Sequence, residues 1–202
     1  MSFSRSYLYE TQQIIENLDF EEIEIIAKIL REIKKNKGRL FIIGNGGSLA
    51  TASHAVSDFR KIVKIESYNP GDFGAELSAR INDEGIENSL TGCLLSSDIR
   101  KEDALMILSV GGSDIKRNIS INIAAAANLA KEIGCTIIGI IGRDGGYVAK
   151  IANACVIIPP IYENHITPHT EEIASVILHL LVSHPLLKTN ETKWESLNET
   201  KN

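Results

Sequence analysis

A chain of 202 residues with 44% hydrophobic side chains is long enough to bury a sizeable core within one domain. Its net charge of −5 argues against a general nucleic-acid surface, and no apolar run approaches the roughly 20 residues of a membrane span, so neither nucleic acid nor a membrane is expected as a partner. The opening stretch MSFSRSYLYETQQIIENL has acids and amides where a signal peptide carries an apolar core, which predicts a cytoplasmic location. Cys93, Cys135 and Cys155 are far apart, odd in number and set among apolar residues. They read as small buried hydrophobes and not as a disulfide framework or a cysteine metal site.

Residues 5–37 read as two helices. Asp19 is placed to cap the second, with Glu22 three residues on as in a capping box, and Ile23, Ile26, Leu30 and Ile33 fall at helical spacing. That apolar face needs cover, from the domain or from a second subunit. Alternating units follow: a strand at 40–43, a helix over about 48–60, a second strand near 62–67, an irregular NPGDFG, and short helices near 74–80 and 84–90. A strand at 104–110, a helix over about 118–132, a strand at 136–141, a short helix, a last strand at 155–160 and a closing helix at 170–182 complete the pattern. Strands alternating with helices predict a parallel sheet covered on both faces. The chain divides into N-terminal helices (1–37), an α/β domain (38–187) and a polar tail (188–202) that is expected to be loosely ordered.

Three of the strands end in small polar turns: GNGGS, SVGGSD and GRDGG. In a parallel sheet, ligands bind beyond the carboxyl ends of the strands, so turns sharing that edge suggest a pocket. In the first, Gly44, Asn45, Gly46 and Gly47 let backbone N–H groups approach an anion, and Ser48 opens a helix whose free N–H groups and dipole suit a phosphate. The spacing is that of neither a Walker loop nor GxGxxG.

The five histidines are His54, His165, His169, His179 and His184. His54 and Asp58 stand four apart on the helix after GNGGS, and Glu171 and His179 stand eight apart on the closing helix, so each pair shares a face. Brought together, they would make a mixed nitrogen and oxygen site for a divalent ion, or an acid–base pair for proton transfer. By sequence alone the plainer reading is favoured, with His54–Asp58 an ordinary exposed pair and His179 a satisfied core histidine. His165 and His169 flank Thr167-Pro168 in an expected loop, and His184 before Pro185 reads as a helix C-terminal cap.

GNGGS followed by a helix bearing a histidine and an acid, a second Ser/Gly turn, GRDGG and a closing acid-to-histidine helix resemble sugar-isomerase (SIS) domains, above all those of the phosphoheptose isomerases. The likeness runs over about 38–184. It implies a flavodoxin-like α/β/α sandwich with a central five-stranded parallel sheet. It also implies a homotetramer with active sites at subunit interfaces, and interconversion of a ketose and an aldose phosphate, sedoheptulose 7-phosphate among them, through an enediol. It further implies substrate contacts from Ser109, Gly111, Gly112, Ser113, Asp83 and Glu171 besides GNGGS, zinc or another divalent ion on His54, Asp58, Glu171 and His179, and proton transfer by Asp58 and His179. Two departures stand out. The family's first-helix glutamate is Asp58 and its last-helix glutamine is Glu171. The second turn, usually STSGNS, reads SVGGSD, places Asp114 where a carboxylate would repel a phosphate, and leaves Lys116 or Arg117 to supply the contacts. The segment before the next strand also looks about six residues longer than usual. A sugar-phosphate-binding module without catalysis, or an isomerase of another sugar phosphate, fits the same pattern.

Overall fold

The computed structural model describes residues 1–197. Two helices come first, α1 (Phe3–Glu16) and α2 (Phe20–Lys35). Asp19 caps α2 by accepting from the Glu22 N–H at 3.1 Å. Only half of the capping box forms, because the Glu22 carboxylate turns away to accept from the Cys155 N–H at 2.6 Å and so pins α2 to the sheet edge.

Strands β1 (Leu40–Ile43), β2 (Ser67–Tyr68), β3 (Ala104–Ser109), β4 (Thr136–Ile141) and β5 (Ala154–Ile157) form one parallel sheet in the order β2-β1-β3-β4-β5. This is the expected α/β/α sandwich. Alternation along each strand sends side chains to opposite faces. Leu40, Ile42, Met106 and Leu108 join one core beneath α2, α3 (Gly47–Asp58) and α8 (Ile166–Ser183). Phe41, Ile43, Leu105 and Ile107 join a second beneath α5 (Ile86–Ser96) and α6 (Ile121–Ile133). The order reverses between β1 and β3, so a crevice opens beyond their carboxyl ends, where GNGGS and SVGGS lie. At the opposite, amino ends the buried Asp103 carboxylate takes N–H bonds from the Arg39 and Arg100 backbones (2.8 and 2.9 Å) and pairs with the Arg39 guanidinium at 2.7 Å.

The expected boundaries shift in places, for physical reasons. The strand expected near 62–67 is only Ser67–Tyr68, because α3 runs on through a wider turn at Phe59–Val63 that ends on Lys64 in the left-handed region. The short helices are longer than expected, α4 at Gly74–Glu84 and α5 at Ile86–Ser96, parted by Gly85. The helix expected from 118 starts at Ile121, because Asp114 and Ile119 pair backbone to backbone in a small hairpin that absorbs the extra residues after the second turn. A one-and-a-half-turn helix α7 (Gly146–Ile151) follows β4, as GRDGG suggested. The last strand stops at Ile157, before Pro159-Pro160, and α8 starts early, so His169 lies within it and His165 at its mouth. Cys93 and Cys135 are buried and Cys155 half-buried; burial pushes the Cys135 and Cys155 thiols up to about 12. Near the C-terminus, Thr189 and Asn190 donate to the Ile62 carbonyl, and a short α9 (Lys193–Ser196) follows; residues 198–202 of the expected tail lie outside the described residues.

Candidate active site

Two helices set the geometry. Helix α3 leaves β1 through GNGGS, and α8 packs alongside it. Gly47, Thr51, His54 and Asp58 recur at helical spacing on one face of α3. Facing them, the Glu171 carboxylate lies against Gly47, so a side chain at that position would have to displace it. Eight residues further along α8, His179 meets His54 and Asp58. The His54 and His179 Nε2 atoms are 3.0 Å apart, and Asp58 Oδ2 is 3.3 Å from the first and 3.6 Å from the second. The Asp58 side chain is largely covered, while both histidines are about half exposed.

Three donors, two imidazole and one carboxylate, thus converge. Their separations resemble those of ligands about a small tetrahedral cation, with metal–nitrogen distances of about 2.0–2.1 Å. Glu171, expected as a fourth ligand, is not in this group. It stands at the amino end of α3, where the helix dipole favours a carboxylate.

The second half of the site is a cavity of about 760 Å³ at the mouth of the crevice, lined by Asn45, Ser48, Ser109, Gly111 and Ser113 among others. Lys116, Arg117, Arg143 and Lys150 also line it and bring four cationic side chains to its wall. The Ser109 hydroxyl accepts from the Gly112 N–H, and the Ser113 hydroxyl donates to the Ile119 carbonyl, each at 3.1 Å. Gly112, at φ +62°, packs against the Gly145 carbonyl, and Gly146, at φ +55°, against the Gly111 carbonyl. The second and third turns therefore interlock backbone to backbone, tightened by bonds from Tyr147 N–H to Ser113 O and Val148 N–H to Gly112 O.

Asp114 lines the cavity too, but its carboxylate accepts from the Arg117 N–H at 3.1 Å and pairs with the Arg117 guanidinium at 3.6 Å, which offsets the expected repulsion. Asp83 is exposed on α4, accepts from its neighbour Asn82, and belongs neither to the cavity wall nor to the histidine group. Sequence reading missed Asn122. Its side-chain amide pairs reciprocally with that of Asn45 at 3.0 and 3.1 Å, locking the first turn to the start of α6. It also missed Lys150, which reaches the cavity only because α7 follows the third turn directly.

The fold and this pair of glycine-lined turns define a class: a SIS-domain model matches residues 6–142, and the chain belongs to the SIS-domain family. Among particular relatives, it is similar to the phosphoheptose isomerase of Geotalea daltonii, 28% identical over 185 residues that cover 88% of this chain and 91% of that one. It is likewise similar to the phosphoheptose isomerase of Helicobacter hepaticus, 30% identical over 79% of this chain and 78% of that one. The phosphoheptose isomerase structure from Neisseria gonorrhoeae superposes with a TM-score of 0.78 at 21% identity, covering 89% of this chain and 96% of that one.

Proposed function

We propose that the protein is an aldose–ketose isomerase that converts sedoheptulose 7-phosphate to D-glycero-D-manno-heptose 7-phosphate through an enediol. The observation that carries this is the meeting of Asp58 and His179 across α3 and α8, with a cation-rich cavity beyond the other end of α3. A binder alone has no need of a covered carboxylate set against an imidazole. The names of the relatives support the same substrate class.

The phosphate is assigned to the Ser109–Ser113 turn with Lys116, Arg117, Arg143 and Lys150. The Glu171 carboxylate already faces the amino end of α3, so Asn45, Gly46, Gly47 and Ser48 are left to the sugar hydroxyls. At the other end, Asp58 takes a proton from C1 of the ketose. That electron pair forms the C1–C2 double bond, and His179 protonates the oxygen at C2 to give the enediol. Loss of the O1 proton and return of a proton to C2 complete the aldose. General acid–base groups of this kind contribute about 10²–10⁴-fold. Should His54, Asp58 and His179 instead hold zinc, the metal would stabilise charge on the enediolate oxygens in place of the His179 proton. Cytoplasmic location and a homotetramer with sites between subunits belong to the same proposal.

A second reading is a sugar-phosphate-binding module without turnover, favoured by the two carboxylates, Glu171 and Asp114, beside the turns. Incubation with sedoheptulose 7-phosphate in D₂O, followed by NMR, separates them. Aldose phosphate carrying deuterium at C2 supports the isomerase. Thermal stabilisation by the compound without conversion supports the binder, and neither response overturns both for this sugar.

A further inference from the structure

On the far flank of α8, away from His179, a second group of metal-type donors joins α1 to the domain. Glu10 of α1 places one carboxylate oxygen, Oε2, 2.7 Å from His165 Nδ1 and 2.9 Å from His169 Nε2. The three donors come from two separate parts of the chain, and the two imidazoles stand four residues apart at the start of α8, both aimed at one point.

The other side of His169 is the second observation. The residue is 1% exposed, and its Nδ1 is the single buried side-chain nitrogen or oxygen without a hydrogen-bond partner among the described residues. The group facing it is Glu172 Oε2 at 3.6 Å, and Glu172 is itself fixed by the Tyr7 hydroxyl, which donates to Oε1 at 2.8 Å. If neutral His169 gives its one proton to Glu10 through Nε2, a bare Nδ1 lone pair is left buried against a carboxylate. If Nε2 instead binds a cation, the proton moves to Nδ1 and points at Glu172. That is the carboxylate–histidine–metal arrangement in which an outer carboxylate fixes the ring and its tautomer. A cavity of about 10 Å³ lined by His165, His169, Tyr162 and Thr170 lies alongside, close to the room that one water needs as a fourth ligand.

We propose that Glu10, His165 and His169 bind a divalent cation of the zinc class, with Glu172 as the outer carboxylate, and that this ion staples α1 to α8. The site is independent of the His54, Asp58 and His179 group and of the isomerase reading. Two nitrogens and one oxygen with a water in the fourth place suit zinc over calcium or magnesium, which favour all-oxygen shells.

The test counts zinc in full-length, untagged protein that carries His54→Gln and His179→Gln, so that the first donor group does not contribute. After stripping with chelator, titration with zinc alone and desalting, elemental analysis is expected to find one zinc per chain, with a rise in melting temperature. Adding Glu172→Gln is expected to weaken zinc binding by roughly 10–100-fold, as loss of an outer-shell partner does. Adding His169→Gln is expected to abolish binding and the thermal shift together. Should that variant not fold, Glu10→Gln, nearer the surface, gives the same readouts. No zinc in the starting variant, or one zinc held with unchanged affinity after Glu10→Gln, overturns the proposal.

Discussion

Asp58 is the residue whose loss should speak most clearly. Asp58→Asn keeps the shape but not the base, so turnover of sedoheptulose 7-phosphate should fall by about 10²–10⁴-fold while binding changes little. Full turnover in that variant, measured by the NMR assay, would remove Asp58 from the reaction. Asp103 makes a separate claim, on stability alone. Burial would raise its carboxyl, but the bonds from the Arg39 side chain and the Arg39 and Arg100 backbones outweigh it and hold the group below its ordinary 3.8. A carboxyl depressed in the folded state stabilises at pH above its unfolded value and loses that contribution as pH falls below it. Urea midpoints should therefore drop below about pH 4, and Asp103→Ala should cost about 3–5 kcal/mol at neutral pH, because it strips the largely buried Arg39 of its carboxylate partner. The four α3 and α8 positions were legible in the sequence because each pair lies within one helix, where spacing fixes the face. Nothing local could reveal that Glu171 lies on Gly47 while His179 meets Asp58, nor that Glu10 reaches His169 across 159 positions.

At the level of elements, the strands were readable wherever an apolar run ended in glycine, as at LFIIG and ALMILSVGG. The stretch IVKIES misled. Ile62, Val63 and Ile65 are all buried and alternate well enough for a strand, yet they are buried from the wide turn that extends α3 and the bend after it. Only pairing with β1, at Leu40–Ser67 and Phe41–Tyr68, decides where β2 lies, and pairing is not written in a single segment. The interlock between the second and third turns was likewise invisible, since it joins backbones. It carries a prediction of its own. Gly146 has φ +55° and its missing Cβ would meet the Gly111 carbonyl, so Gly146→Ala must push the two turns apart. The expected cost is about 1–3 kcal/mol by urea denaturation, the scale of one strained backbone position. Ser109, Ser113 and Arg143 should lose their common geometry with it. Phosphate-end affinity, read by titration with sedoheptulose 7-phosphate, should then weaken more than the fold does. Unchanged affinity would detach the turns from phosphate binding.

At the scale of the whole molecule, the layer formed by α1, α2 and α8 is underdressed for a lone chain. Phe3, Leu8 and Tyr9 on α1 and Phe20 and Ile25 on α2 are exposed, as are Val176 and Leu180 on α8 beside His179. These helices pack on the same face of the sheet as α3, so the apolar surface and the half-exposed His54 and His179 share one side of the molecule. Exposed apolar side chains gathered on one side of a molecule suit an interaction site. A second copy seated there would also shut water out of the place where the proposed enediol would form, and would strengthen the electrostatic grip of Asp58 and His179 on it. If the proposed tetramer forms through this side, the protein should sediment as a tetramer, and its specific activity should fall on dilution in step with its mass. Leu8→Glu with Phe20→Glu, on helices that carry neither Asp58 nor His179, should lower both, with activity returning at high protein concentration. A monomer that keeps full specific activity would show instead that one chain completes the site by itself.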